Sequence, residues 1–228
     1  MRSQDGLALE RPPPPLAAGQ MLSLPPVTHV PTWAYLACFI GCVVASALML
    51  VVAPYRLVPT PLLQALVRLC PVLCILGAII AWFVLLHKAW AAIQDGEART
   101  TPAAAVLGCI IPVYNIYGLF QATVGFAQDF NRLAQRERIE GGRARVTLYG
   151  VWCACLLLAP VPVVAEALLQ GILRVYLGSG AIPLWSLALS VSAAMGLIVP
   201  VTTPLVIVDM CNAINAIADA QAPGGSPR

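Results

Sequence analysis

The chain has 228 residues, of which 60% are hydrophobic and only 10% charged, against about 25% charged in ordinary soluble domains. With a mean hydropathy of +0.84, this composition argues against a water-soluble globule and points to an all-α, polytopic membrane protein. The formal net charge of +3 is too small to argue for nucleic acid, so where the basic residues sit matters more than their sum.

Residues 1–31 are expected to form a disordered, proline-rich tail. Arg2, Asp5 and Glu10 precede Pro12 to Pro15, and no apolar core of a secretory signal occurs before Trp33. The membrane domain is expected over 32–220. Its first span covers about 33–53, uncharged throughout, with Thr32 after Pro31 as N-cap. Ala34, Cys38, Cys42 and Ser46 recur every four residues, a strip of small side chains that lets another helix approach closely. Pro54, Pro59 and Pro61 end this helix in a short connection with Arg56. A second span covers about 69–87, with Pro71 in its first turn. It continues as a helix past Lys88 and Trp90 until Gln94-Asp95-Gly96 supplies turn residues.

Between Arg99 and Asp129 there is no charge, so this stretch is long enough to cross a bilayer. Pro112 and Asn115 break it in the middle, however, and Thr101 before Pro102 reads as the N-cap and first position of a helix. Ala103 to Ile111 then forms a short apolar arm, and Ile116 to about Arg138 an amphipathic return, the two making a broken hairpin over about 101–138. On that return, Leu119, Phe120, Phe126, Phe130, Leu133 and Ala134 share one face, while Gln121, Gln128, Asp129, Arg132 and Gln135 share the other. Arg132, Arg136, Arg138, Arg143 and Arg145 then make the most charged segment of the chain, with a flexible break at Gly141-Gly142.

A third span is expected at about 148–168, interrupted by Pro160 and Pro162 and closed by Glu166, a carboxylate that snorkels or pairs with Arg174. The fourth covers about 182–208 and is kinked at Pro200 and Pro204, with Thr202 and Thr203 placed to satisfy the carbonyls that proline frees. An amphipathic exit helix follows over 209–220, with Asp209, Asn212, Asn215 and Asp219 on one side and Met210, Ile214 and Ile217 on the other. Residues 221–228 form a loose tail.

Charge counting decides the topology. With four spans and a non-crossing hairpin, Lys and Arg divide ten to three between the two sides, whereas a fifth span divides them eight to five. The four-span arrangement obeys the positive-inside bias and places both termini in the cytoplasm. The hairpin then either dips into the bilayer and returns or lies on its surface as two interfacial helices.

Trp90-x-x-Ile93-Gln94-Asp95-Gly96, Ala98-Arg99-Thr100-Thr101-Pro102, Ile111-Pro112-x-x-Asn115-x-Tyr117, Phe120 and Asp129-x-Asn131 make the one dense motif of the chain. Over roughly residues 82–135, with a weaker echo in Asn212-Ala213-Ile214-Asn215, the chain resembles a group of bacterial multi-span membrane proteins that share a domain of unknown function. Relatives in that group are richer in aromatics around the Ile-Pro-x-x-Asn core and often carry tryptophan where Gly118 stands here. The resemblance implies a bacterial cytoplasmic membrane and no activity, substrate or cofactor.

Metalloprotease, serine-hydrolase, phosphate-loop and Cys-x-x-Cys signatures are all missing from the sequence, which speaks against an enzyme. No cofactor or metal site is expected. The eight cysteines lie in or beside apolar runs, where cysteine behaves as a small apolar residue, and His29 and His87 are badly placed to complete a site. The sharper hypothesis gathers Asn115, Asp129, Asn131, Asp209, Asn212 and Asn215 near the inner membrane face, where amides and freed carbonyls beside the Pro102 and Pro112 breaks bind or conduct a small solute or ion. The plainer one has these groups cap helix ends and cement the hairpin. In the structural or regulatory alternative, the Arg132, Arg136, Arg138, Arg143 and Arg145 segment contacts anionic lipid or a partner protein. The oligomeric state is not legible.

Overall fold

The structure, a computed structural model, describes residues 24–52, 61–111, 115–139, 142–162, 164–165, 167–168 and 185–222. Pro112, Glu166, Arg174, residues 1–23 and the closing tail from 223 lie outside that description. Among the described residues every regular element is helical: α1 (Thr32–Val52), α2 (Pro61–Ala92), α3 (Pro102–Ile110), α4 (Asn115–Phe120), a π-turn (Gln121–Gly125), α5 (Phe126–Arg136), α6 (Val146–Leu158) and α7 (Trp185–Gln221). α1 packs along α2, α6 along α7, and α7 also meets α1 and α2.

Among the described residues, two segments are long and apolar enough to cross a membrane, Val72–Ala92 and Ile198–Gln221, while Thr32–Ala45 and Val146–Leu158 are shorter apolar stretches. Four long spans are therefore not all matched. In the third, regular helix stops at Leu158 and a turn follows at residues 159–160, because the prolines at 160 and 162 bring no N–H to the helix ladder. A bond from the Val164 N–H to the Pro160 carbonyl then resumes helical geometry. α2 departs in the other direction. It starts at Pro61, so Pro61 takes the first helical position and Pro71 lies in the helix interior.

Each long helix changes character along its length. On α2, Val72, Ile75, Ile79 and Val84 are exposed, whereas Leu85, Leu86, Ala89 and Trp90 are buried. On α7, Ile198, Val201 and Leu205 are exposed, and Val206, Met210, Ile214 and Ile217 are buried. α6 runs the other way, from buried Tyr149, Trp152 and Cys153 to exposed Leu156 and Leu158. The molecule thus has a packed half with one core and a half whose surface is apolar. Exposed apolar area on this scale marks contact with lipid or protein.

Aromatics from three helices fill the core. The Phe126 ring lies 6.2 Å from Trp90, 6.1 Å from Phe130 and 6.4 Å from Tyr149, and each such side chain contributes about 1.5–3 kcal/mol by leaving water. α7 continues unbroken from the apolar half into this core, through Pro200 and Pro204, so the expected exit helix is the second half of α7. Thr202 and Thr203 do not serve the carbonyls that the prolines free. Their hydroxyls donate to Ile198 (2.8 Å) and Val199 (2.6 Å), the carbonyls one turn back from each threonine.

Residues 24–31 correct the expectation of a disordered tail at its last eight positions. Asn215 accepts from the Val30 N–H (2.7 Å) and donates to the Val30 carbonyl (3.1 Å). Gln221 does the same for the Val27 N–H (2.9 Å) and the Pro25 carbonyl (3.1 Å), and His29 faces Asp219 at 3.4 Å. Two amides on α7 therefore read the backbone of this strap as a neighbouring strand would.

Candidate functional site

Helices stand on either side of the expected break, α3 and the return from Asn115. Thr101 caps α3 by accepting from the Ala104 N–H (3.3 Å), with Pro102 at the first position. α3 ends at Ile110, and the return starts at Asn115. Where the arms cross, Gly108 and Gly118 bring backbone against backbone. A Cβ on Gly118 would lie 2.9 Å from the Gly108 Cα and closer still to its carbonyl. Only glycine fits there.

The return arm is antiparallel to α6, as three contacts in sequence show. Phe126 faces Tyr149, the Thr123 hydroxyl lies 2.9 Å from the Cys153 sulfur, and the Leu119 carbonyl lies 4.0 Å from the same sulfur. Moving from Phe126 toward Asn115 therefore means moving toward Leu158, into the apolar-surfaced half. Eight residues separate Thr123 from Asn115, so the tip stands about 12 Å beyond the Thr123 contact. Its side chains match that setting: Leu107, Ile110, Ile111, Ile116 and Tyr117 are all roughly half exposed or more.

The π-turn at Gln121–Gly125 was not expected. Its free carbonyl has a buried partner, since the Trp90 indole N–H donates to the Ala122 carbonyl at 2.8 Å. The Thr123 hydroxyl takes the Leu119 carbonyl at 2.7 Å. A π-turn adds a residue to one turn, and here the addition ties the return arm to α2.

At the packed end a charged latch closes the hairpin over the 93–101 connection. Asp129, expected on the polar face, is only 3% exposed. Its Oδ2 accepts from the Arg99 backbone N–H (3.0 Å), and the Arg99 Nε approaches Oδ1 to 3.0 Å, close in charge but without hydrogen-bond alignment. Arg132 stands 3.7 Å from the same carboxylate and donates to the Glu97 carbonyl at 2.8 Å. Arg136 reaches Asp95 (2.8 Å), Glu97 (3.0 Å) and Glu137 (3.1 Å). Burial works against its charge, but the carboxylates of Glu137, Asp95 and Glu97 outweigh it and raise the guanidinium above its ordinary value. Gln94 completes the latch by donating to the Trp90 and Thr100 carbonyls, both at 3.0 Å.

The six polar residues singled out from the sequence do not converge on one point. Asn131 pairs with the backbone of Ala144 in both directions (2.9 and 2.8 Å), and Asp209 accepts from the next backbone N–H, that of Arg145, at 3.0 Å. Those two do come together, on the segment that enters α6. The fully buried Tyr149 hydroxyl lies beside Asp209. Asn215 holds the strap and Asp129 the latch, while Asn212 is exposed on α7 and Asn115 is exposed at the tip. Sequence reasoning missed the partners Arg99, Asp95, Glu97, Gln94 and Gln221. The Asp95-Gly96 turn and the isolated Arg99 were the signals available.

The five arginines divide as well. Arg132 and Arg136 belong to the latch, and Arg145 approaches Asp209 at 3.8 Å. Arg138 and Arg143 are exposed and, among the described residues, meet no carboxylate. Arg143 borders a shallow groove of about 210 Å³ with Asn131, Gln135 and Gly142.

Comparison with protein-family models, with curated proteins and with solved structures finds no match to this chain.

Proposed function

We propose that this chain is a non-enzymatic, four-span protein of a bacterial cytoplasmic membrane, with both termini in the cytoplasm and a hairpin that dips into the bilayer from that side. Its role on this reading is structural or regulatory. The hairpin anchors the packed cytoplasmic half in the lipid, and Arg138 and Arg143 offer that half to anionic lipid headgroups or an acidic partner. The carrying observation is the polarity of the hairpin. Gln128, Asp129, Asn131, Arg132 and Arg136 are bonded at the base, while the tip presents Leu107, Ile110, Ile116 and Tyr117 toward the apolar-surfaced half.

The ten-to-three division of basic residues supports the orientation. The backbone and latch partners of Asn131, Asn215 and Asp129 support the structural role over ligand binding. One observation favours the second reading, a solute or ion site. Asn115 is an exposed amide at an otherwise apolar tip.

A single probe tests both. An environment-sensitive fluorescent amino acid at position 117, in protein reconstituted into lipid nanodiscs, is expected to be quenched by chain-brominated lipid and shielded from aqueous iodide. Iodide quenching without bromolipid quenching would overturn the re-entrant placement and favour a wet cavity around Asn115.

A further inference from the structure

We infer that the second half of α7 carries a receptor groove for an extended, proline-flanked peptide. Residues 24–31 fill it as an internal ligand, which a partner's peptide of the same pattern displaces. The strap buries every third residue. Val30 is buried, and Leu24 and Val27 are partly buried against the core, whereas Pro25, Pro26, Thr28, His29 and Pro31 are exposed. Three residues per turn is the period of the polyproline II helix, and the prolines favour extended backbone at Leu24, Pro25 and Val30, the residues before them. Val27 and Val30 also turn their N–H groups to α7, where Gln221 and Asn215 accept them at 2.9 and 2.7 Å. The six residues between those amides rise about 9 Å along an α-helix. One turn of polyproline II, from Val27 to Val30, also rises about 9 Å. The spacing of the two amides therefore fits one turn of the ligand. His29 beside Asp219 falls between them, so the strap runs antiparallel to α7.

The groove reads backbone and shape. Both amides use their donors and acceptors on peptide groups. The inward side chains are aliphatic, and Leu24 lies in a small pocket with Ile139, Ile217 and Ala220. The polar side-chain contact of the strap, His29 with Asp219, is exposed on both sides, and such pairs add little. Any uncharged extended segment with an aliphatic residue at every third place, and a free N–H at the second and third of these, presents the same groups. A charge at an inward place would lose water and gain no partner. Flanking prolines lower the entropy such a segment loses on binding. Attachment to α1, which starts at Thr32, gives the strap a high local concentration in its groove, so a partner's segment has to outcompete a tethered rival. That is an autoinhibitory contact, and it does not depend on the membrane placement proposed above.

The test uses the full chain in detergent micelles and a fluorescent synthetic peptide of residues 24–31. In the unaltered chain, the Val27 and Val30 amides should exchange hydrogen through a local opening, faster than the Phe126 and Leu133 amides of α5. Equal rates would make the strap a fixed part of the fold and overturn the proposal. Val27→Asp should lift the strap and let the labelled peptide bind about tenfold more tightly than it binds the unaltered chain, whose tethered segment competes. Val27→Ser, which buries no charge, repeats the measurement if the aspartate variant loses helical circular dichroism. In the opened chain, Asn215→Ala should weaken the peptide about tenfold by removing two hydrogen bonds. A peptide with Val27→Thr and Thr28→Val, equal in composition but off the three-residue period, should not bind. Equal affinity for the opened and unaltered chains, or for the two peptides, would overturn the groove assignment.

Discussion

Gly118 has no room for a side chain, and that single fact shapes the hairpin. In a helix glycine normally costs about 1 kcal/mol relative to alanine, so its presence calls for a local reason, and the Gly108 backbone supplies one. Gly118→Ala should therefore lower stability by about 1–3 kcal/mol through overpacking, read as a lower unfolding midpoint in detergent. Gly150→Ala, on a helix face with open space, should be neutral or slightly stabilising, and equal losses from both would sink the close-approach account. Arg138 shows the opposite economy of residue choice. It holds φ +54° just past the end of α5, while the Ile139 N–H returns to the Ala134 carbonyl at 2.9 Å. That is a left-handed helix stop usually given to glycine; an arginine kept there at a conformational cost fits a role for its exposed charge.

At the scale of elements, the hairpin depends on its latch. Asp129 is the buried member and Arg99 the covering one, so the carboxylate is stabilised by a guanidinium that still touches water. Asp129→Asn keeps the shape and removes the charge. We expect a loss of about 2 kcal/mol, in the range for a hydrogen bond to a charged group, with faster hydrogen exchange confined to residues 94–101 and the α5 amides. Exchange that rises equally in α1 would show that Asp129 supports the whole fold and not the latch. The bounds of the hairpin's two arms were legible. Its Thr101-Pro102 start and the break before Asn115 are local signals that need no tertiary partner. The π-turn was not legible, because what stabilises it is the Trp90 indole arriving from a different helix.

For the whole molecule, charge and its distribution carry the prediction. Arg138 and Arg143 are exposed, and each basic group near an anionic surface contributes about 1 kcal/mol, or about fivefold in binding. Replacing both by glutamine should reduce the anionic lipid retained in nanodiscs prepared from mixed lipids, by about fivefold per charge. Arg132→Gln and Arg136→Gln should lower stability with little change in lipid retained, because those side chains are held by the latch. Equal lipid loss in all three variants would remove the distinction between latch and surface arginines.

The helical class, the apolar stretches and the cap at Thr101 are legible in the sequence, because composition, periodicity and capping are local properties of the chain. The sequence also showed which side chains of the last helix face inward, since Met210, Ile214 and Ile217 follow the helical period and are buried. Only the tertiary structure decided how polar groups are partnered. Asn131, Asn215, Asp129 and Asp209 looked like a shared binding set because they are polar and lie at similar expected depth. They instead bond to Ala144, Val30, Arg99 and Arg145, residues 13 to 185 positions away in sequence. A buried amide or carboxylate must find a partner somewhere, and which partner it finds is set by the packing of helices that the local pattern does not encode.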